Sequence, residues 1–194
     1  NSSVSAYSTW YSITVSFDGG STGYSSYALE FDGSNDYVTL PNSINMGTSD
    51  FTISIRIKTD DVGSGRQQVI QQTGGNANRV IAINNGGVIA SQLGSTSSES
   101  GFTASANTWY HVVLVHDDSE NTLKWYVDGT AKNTNTSVNI GSNTGQFKLG
   151  TNSASSDKWF DGQMDELRIW SAALAEAQIP GDSGTDSILI GNES

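Results

Sequence analysis

Hydrophobic and polar residues alternate along much of the chain, in short runs separated by Gly, Asn, Asp and Ser. The clearest run is Phe51–Lys58, in which every second residue is Phe or Ile and the residues between are polar or charged. A period of two is typical of a β-strand with one buried face. Trp109–His116 has apolar residues at both odd and even positions, as expected for a central strand covered on both faces. The pattern as a whole predicts a chain built from many short strands.

Two alternating runs meet at an acidic turn within Ala28–Leu40. Between them lies the sequence Asp-Gly-Ser-Asn-Asp, which begins at Asp32 and ends at Asp36. Gly33 permits a positive φ, and Asp and Asn side chains bond the backbone of such turns, so turn formation alone explains these residues. Several hard oxygen donors within a few residues also suit Ca2+, although the spacing of an EF-hand loop is absent.

The remaining predicted elements are one long loop, one helix and several shorter strands. Residues 91–107 are polar and predict a loop. Ser171–Ile179 predicts a short helix, because Ser171 can cap it, Ala residues favour it and Pro180 ends it. The shorter strands are predicted at Ile13–Phe17, Gln67–Gln72, Arg79–Ile83, Val88–Ala90, Leu123–Val127, Ser137–Ile140, Gln146–Leu149, Met164–Trp170 and Ile188–Ile190. This order indicates an all-β fold, a two-sheet antiparallel β-sandwich (jelly roll) with one short C-terminal helix.

The amino-acid composition and net charge of the chain disfavour several classes of binding partner. The 194 residues fit a single domain, 1–194, and 9 basic against 20 acidic residues give a net charge of −11. Such a charge disfavours nucleic acid and anionic membrane surfaces, and no apolar run is long enough to span a bilayer. Cysteine is absent, so disulfides and thiolate metal sites are excluded. An acidic chain rich in Ser, Thr, Asn and Gly is consistent with a secreted, Ca2+-using bacterial protein.

Five segments resemble, in order, the signature segments of laminin-G-like, concanavalin A-like lectin-glucanase jelly-roll domains, a group that includes pentraxin-like domains. They are residues 27–38 (YALEFDGSNDYV), 50–58, 108–115, 123–129 and 160–174 (FDGQMDELRIWSAAL). The resemblance covers a core of residues 27–179. It leaves 1–26 as an N-terminal strand region and 180–194 as a tail or edge strand.

The resemblance implies two curved antiparallel sheets, binding of glycan or protein, and often a structural Ca2+ where the Phe-Asp-Gly turn meets the Asp-Glu of the final strand. Carried over to this sequence, it nominates Asp32, Gly33 through its carbonyl, Asp36 and Asp165 as metal ligands. The alternative is that these acids only brace turns by accepting backbone N–H bonds.

No catalytic residues are predicted. Retaining glycosidases need two carboxyl groups about 5 to 5.5 Å apart, whereas Asp165 and Glu166 are adjacent on a strand and point to opposite faces. His111 and His116, five residues apart, also point to opposite faces and cannot share a metal. The sequence contains neither a Gly-x-Ser-x-Gly elbow nor a phosphate-binding loop.

Sugar binding combines an aromatic ring with fixed polar groups. Trp159 follows a polar loop and is predicted to lie at the rim, while Tyr126 and Arg56 have the parity opposite to the core. These three are the predicted carbohydrate-binding residues, with solvated strand positions as the alternative for Tyr126 and Arg56. The strand tryptophans Trp109, Trp125 and Trp170 are predicted to pack in the core.

The leading interpretation is a non-catalytic, lectin-like carbohydrate-binding module, monomeric within a larger secreted or cell-surface protein and stabilised by a structural Ca2+. Its partner would be a polysaccharide or glycan. One alternative is a Ca2+-stabilised protein-interaction or adhesion domain that contacts a surface protein. A second is a polysaccharide-degrading enzyme with an unrecognised motif.

Overall fold

The computed structural model of the chain describes residues 10–12, 28–40, 48–72, 79–93, 96–141, 145–151 and 158–179. Within these ranges the chain forms thirteen β-strands and a single 3-10 turn. No helix in the described part is long and apolar enough to cross a membrane. The strands are β1 (Trp10–Ser12), β2 (Leu29–Asp32), β3 (Val38–Thr39), β4 (Phe51–Thr59), β5 (Gln67–Gln72), β6 (Arg79–Ile83), β7 (Val88–Leu93), β8 (Thr96–Thr103), β9 (Tyr110–Asp117), β10 (Thr122–Val127), β11 (Thr130–Thr136), β12 (Phe147–Leu149) and β13 (Asp161–Trp170).

The strands form two antiparallel sheets. The first has the order β1-β13-β4-β9-β10-β11, and β2 also pairs with β13; the second has the order β3-β12-β5-β6-β7-β8. Neighbours such as β13 and β4 are far apart in sequence, so the chain crosses repeatedly between the sheets. The predicted all-β, two-sheet antiparallel sandwich is confirmed.

The core lies between the two sheets. In β4 the predicted alternation holds, since Phe51, Ile53, Ile55 and Ile57 are all buried in it. Burying a side chain of this kind contributes about 1.5 to 3 kcal/mol. The second sheet supplies Val69, Ile70, Ile81, Ile83, Ile89, Leu93, Phe147 and Leu149 to the same cluster.

Of the three tryptophans predicted to pack in the core, only Trp125 does. It is fully buried, and its indole N–H donates to the Ser98 hydroxyl at 2.9 Å, so the polar atom of the ring is paired. Trp109 and Trp170 are half-buried and are not part of the core cluster. Trp170 follows the core residue Ile169, so strand alternation turns it outward.

The prediction of a loop over residues 91–107 is wrong, because most of these residues belong to β7 and β8. The strand β8 was missed because Ser98 and Ser100, not large apolar residues, fill its buried positions. Ser137–Ile140 is not a strand; the preceding polar residues Thr130–Thr136 form β11 instead. The predicted strands 13–17 and 188–190 lie outside the described residues.

The predicted C-terminal helix Ser171–Ile179 is replaced by one 3-10 turn, Glu176–Gln178, preceded by irregular chain. Thr52 of β4 anchors this segment: its hydroxyl donates to the Ala172 carbonyl at 2.8 Å and accepts the Leu174 N–H at 3.1 Å. These bonds to the sheet satisfy backbone groups that a helix would have paired internally.

Gly162 lets β13 approach β4 closely. It has a φ of 135°, and a Cβ at this position would overlap the Lys58 carbonyl oxygen and the Thr59 Cα in β4.

We therefore expect Gly162→Ala to lower the free energy of unfolding by about 3 kcal/mol, measured by urea denaturation. The control is Gly65→Ala, where φ is 112° but no atom lies within 4 Å of the added Cβ; backbone strain alone predicts about 1 kcal/mol. Equal losses in the two variants would contradict the packing argument.

Candidate functional site

Two aromatic side chains, Tyr37 and Trp159, lie together beside the second sheet. Tyr37 is 54 % exposed, and its ring centroid is 6.4 Å from that of Trp159, with the two planes inclined by 35°. The Lys148 ammonium of β12 lies 4.9 Å from the Tyr37 ring centroid. Because its neighbours Phe147 and Leu149 are buried in the core, Lys148 points to the outer face of the sheet. An aromatic pair with an adjacent cation thus lies on this outer face.

The backbone around Trp159 fixes its position. The next residue, Phe160, is fully buried, and its N–H donates to the Gly150 carbonyl at 2.9 Å. On the other side, the Lys158 carbonyl accepts the Gln68 N–H of β5 at 3.2 Å. Trp159 is therefore held between two backbone anchors while its ring remains half-buried. Rings so placed can stack on the apolar face of a sugar ring, and an ammonium group can donate to its oxygens.

Arg56 lies on the other sheet. Its guanidinium carbon is 5.8 Å from the Trp109 ring centroid, and the Lys58 ammonium is also 5.8 Å from it. The Glu166 carboxylate lies 3.8 Å from Arg56 and 3.2 Å from Arg168. This half-buried group occupies the outer face of the first sheet, so the structure does not bring Arg56 together with the aromatic pair.

Tyr126 also lies on the outer face of the first sheet, as its parity predicted. It is only 4 % exposed, however, and packs with Val113, Val115 and Ile179. Leu174 packs against the same cluster. The C-terminal segment therefore covers Tyr126, which has no open face for a ligand in this arrangement.

The predicted metal-binding carboxylates each bond a nearby backbone group. An Asp32 oxygen accepts the Ser34 N–H at 2.9 Å, and an Asp36 oxygen accepts the Asp32 N–H at 3.1 Å. Asp165 accepts the Glu166 N–H at 2.7 Å. These are the contacts expected under the alternative interpretation, in which the acids only brace turns by accepting backbone N–H bonds.

The strand register separates Asp165 from the other three predicted ligands. Asp161, not Asp165, pairs with Asp32 across β2 and β13, and Gly33 is so close that a Cβ there would lie 3.1 Å from the Asp161 Cβ. Asp165 is four residues further along β13, a distance of about 13 Å. Among the described residues no group of three or more acids or histidines is placed to hold a metal ion. The four residues do not fit one preformed Ca2+ site, and the Ca2+ remains a prediction.

Asp161 lies close to several other carboxylates. Burial raises the pKa of its carboxyl above the ordinary value, and the charges of Asp60, Asp61 and Asp32 raise it further. Hydrogen bonds from Ser64 and from the backbone of residue 63 lower the pKa of Asp61, which keeps that neighbour ionised. The acidic turn predicted from the sequence therefore extends across to β13.

Of the three side chains in this candidate site, the sequence analysis proposed Trp159 but neither Tyr37 nor Lys148. A signal for Tyr37 was available, because Val38 and Leu40 face inward and the preceding aromatic must then face outward. Lys148 carried a similar signal within the short apolar strand β12. Neither signal reveals that the two side chains meet, since β3 and β12 are distant in sequence.

Two antiparallel sheets with this crossing order define a jelly-roll domain. The family model described as the concanavalin A-like lectin/glucanases superfamily, of laminin-G type, matches residues 32–180. The chain belongs to this superfamily, which confirms the resemblance found in the sequence. A search of curated proteins found no match.

Solved structures with the same fold include domains of bacterial enzymes. Domain 4 of AbnA, a GH43 extracellular arabinanase from Geobacillus stearothermophilus solved with arabinotriose, is 20% identical with a TM-score of 0.63, covering 81% of this chain and 77% of that one. The CBM40 of the Ruminococcus gnavus IT-sialidase, bound to α2,3 sialyllactose, is 17% identical with a TM-score of 0.64, covering 78% and 93%. A SAP-like pentraxin from Limulus polyphemus is 16% identical with a TM-score of 0.59, covering 77% of each chain. At these identities the likeness shows the fold.

The predicted Ca2+ can be tested by thermal unfolding. At 100 times its dissociation constant, a bound ion adds about 2.7 kcal/mol to stability, so excess Ca2+ should raise the melting temperature relative to chelator. Because Asp165 lies apart from the turn, we expect Asp32→Asn to abolish this difference and Asp165→Asn to preserve it. A melting temperature that is the same in Ca2+ and in chelator would rule out a structural Ca2+.

The raised pKa of Asp161 predicts a pH effect on stability. Between the ordinary carboxyl pKa and the raised pKa of Asp161, the folded state binds more protons than the unfolded state, so stability falls as pH rises through this window. In calcium-free buffer, Asp161→Asn should therefore raise the melting temperature most at neutral pH, and the gain should shrink on acidification. A gain that does not vary from pH 3.5 to 8 would contradict this prediction.

Proposed function

We propose that this chain is a non-catalytic carbohydrate-binding module of a secreted or cell-surface protein. It binds a glycan through the outer face of the second sheet, at Tyr37 and Trp159. The observation that carries the proposal is the exposure of Tyr37, the only exposed large hydrophobic side chain in the described part of the chain, in contact with Trp159 and Lys148. An exposed ring beside a half-buried ring and a cation matches the combination of apolar and polar groups by which proteins hold sugars.

The comparisons support this class of ligand. The similar arabinanase domain was solved with arabinotriose, and the similar CBM40 with sialyllactose. Both belong to bacterial enzymes, and the arabinanase is extracellular. We extend these features to the present chain as a module of a larger, secreted bacterial protein. The net charge of −11 favours a saccharide over nucleic acid as its partner.

A protein-interaction or adhesion domain is the second candidate function. It is favoured by the first sheet, where the half-buried Trp109 lies beside Arg56 and Lys58. Trp and Arg are the residue types that most often dominate protein interfaces. The two candidates use opposite faces of the sandwich, which allows one set of variants to separate them.

A glycan array of plant, algal and microbial polysaccharides, screened in Ca2+ and in chelator, tests the proposed function. Selective binding without release of product is expected. Tyr37→Ala and Trp159→Ala should each weaken that binding about fivefold, since a stacked aromatic contributes on the order of 1 kcal/mol.

The matched control is Trp109→Ala, which removes a half-buried tryptophan from the opposite sheet. It should bind like the unaltered protein. Loss of binding in Trp109→Ala with retention in Trp159→Ala would move the site to the first sheet. No binding across the array would favour the protein-interaction function.

A further inference from the structure

Acidic residues border the aromatic pair formed by Tyr37 and Trp159. Asp36 directly precedes Tyr37 in the chain, and Asp161 follows Trp159 by two residues, about 7 Å along extended backbone. Both segments meet at Gly150. A Cβ there would lie 2.9 Å from the Asp36 carbonyl oxygen, and its own carbonyl accepts the N–H of the residue between Trp159 and Asp161. The backbone that positions the two rings therefore also positions these two acids.

Three further aspartates lie beside Asp161. Asp32 is its cross-strand partner, and the Asp60 N–H donates to its carbonyl at 3.0 Å. Asp61 follows Asp60 in the chain, and the charges of these three residues all act on the Asp161 carboxyl. We call the whole set the acidic rim, which comprises Asp32, Asp36, Asp60, Asp61 and Asp161.

The negative charge of the acidic rim is not balanced by ion pairs. Asp32 and Asp60 are exposed and the other members are half-buried, and none of the five is ion-paired within the described part of the chain. Three basic residues also lie near the rings: Lys148 contacts Tyr37, Lys158 precedes Trp159, and Arg66 lies two residues before the partner of the Lys158 carbonyl. Even if all three are counted, acids exceed bases, and the chain as a whole carries −11.

This charge reaches a ligand held by the rings. Exposed charges interact over about 8 Å at physiological ionic strength, and Asp36 and Asp161 lie within about this distance of the backbone that carries the two rings. A sugar bearing a carboxylate or sulfate group is repelled there, whereas an uncharged sugar is not. Like charges facing each other are a general means by which proteins reject unsuitable partners.

We infer that the acidic rim makes the site at Tyr37 and Trp159 selective for uncharged glycans and excludes glycans that carry carboxylate or sulfate groups. This inference rests on the proposed function and specifies the class of glycan bound. The Lys148 ammonium still serves as a donor to the oxygens of an uncharged sugar.

The first part of the test compares charged and uncharged forms of the same polysaccharides. Arabinan, xylan, galactan and mixed-linkage glucan are each titrated in unmodified, hydroxyethylated and carboxymethylated form, with equal degrees of substitution, at neutral pH in calcium-free buffer. The hydroxyethylated form controls for added bulk. The carboxymethylated form of a polysaccharide that binds should bind about tenfold more weakly than the hydroxyethylated form. This gap should narrow in roughly 1 M salt, where the screening length shortens to about 3 Å.

The outcomes separate the inference from the proposed function. Equal affinity for the hydroxyethylated and carboxymethylated forms would overturn the inference and leave the proposed function intact. Tighter binding of the carboxymethylated form, lost in Lys148→Gln, would also overturn it, since the site would then recognise a negative charge through Lys148. No binding of any uncharged glycan, in these titrations or across the array, would overturn both.

The second part removes charge from the rim with the double variant Asp60→Asn/Asp161→Asn. Neither carboxyl makes a hydrogen bond within the described part of the chain, and Asn has nearly the same size as Asp, so the fold should be retained. Affinity for the carboxymethylated polysaccharide should rise about threefold, with affinity for the unmodified form unchanged. Unaltered rejection of the carboxymethylated form, with the fold intact, would contradict the inference.

The matched control is Asp118→Asn/Glu120→Gln, which removes two exposed charges far from the rim. The Asp118 N–H bonds the Asp50 carboxylate, and Asp50 lies at the opposite end of β4 from Asp60. That separation is about 30 Å, several times the screening length. The control should reject the carboxymethylated form as the unaltered protein does. Equal recovery of binding in the two double variants would show that total charge, and not the acidic rim, causes the exclusion.

Discussion

The burial of Phe160 is the interaction on which the candidate site depends. Its ring is fully buried and packs edge-on against Phe31, with centroids 5.8 Å apart and planes at 85°. Its N–H bonds Gly150, which follows β12 in the second sheet, and its carbonyl accepts the N–H of Gly33, in the turn after β2 of the first. Gly150 must be glycine for this contact, because a Cβ there would overlap the Phe31 ring. One residue therefore ties the two sheets together.

This anchor also sets the direction of its neighbours. Because side chains alternate along extended chain, an inward Phe160 turns Trp159 and Asp161 away from the core. Trp159 then meets Tyr37 from the chain entering β3, while Asp161 meets the acidic turn that contains Asp32. The aromatic surface and the negative cluster are thus adjacent because they flank the same buried ring. A change that loosens this ring would disturb both.

Elements whose structure is determined by local sequence pattern were predicted well from the sequence. The bounds of β5 and β6 agree with the prediction, because each run is apolar or amide-rich and the sequence on either side of it contains glycine. Strand β8 could not be found this way, since Ser98 faces the core and pairs with Trp125 only through the tertiary structure. The C-terminal helix failed for a related reason: contacts with Thr52 outweighed the helical preference of its alanines.

The candidate site was predicted in part, for the same physical reasons. The outward position of Trp159 follows from local sequence. The pairing of Asp161 with Asp32 follows from strand register, and the irregular register after Asp165 places Glu166 at a φ of 49°, which no alternation rule anticipates. Tyr126 was assigned to the correct face, but only the folded chain shows that Ile179 and Leu174 cover that face.

The glutamines of strand β5 differ in what they contribute to the fold. Its bonded amides, Gln67 and Gln72, hold neighbouring segments in place, so they contribute to the fold. The side-chain oxygens of Gln68 and Gln71 are buried without a hydrogen-bond partner, and a buried acceptor without a donor costs free energy. A fold stabilised elsewhere, through the core and Phe160, can tolerate this local deficit.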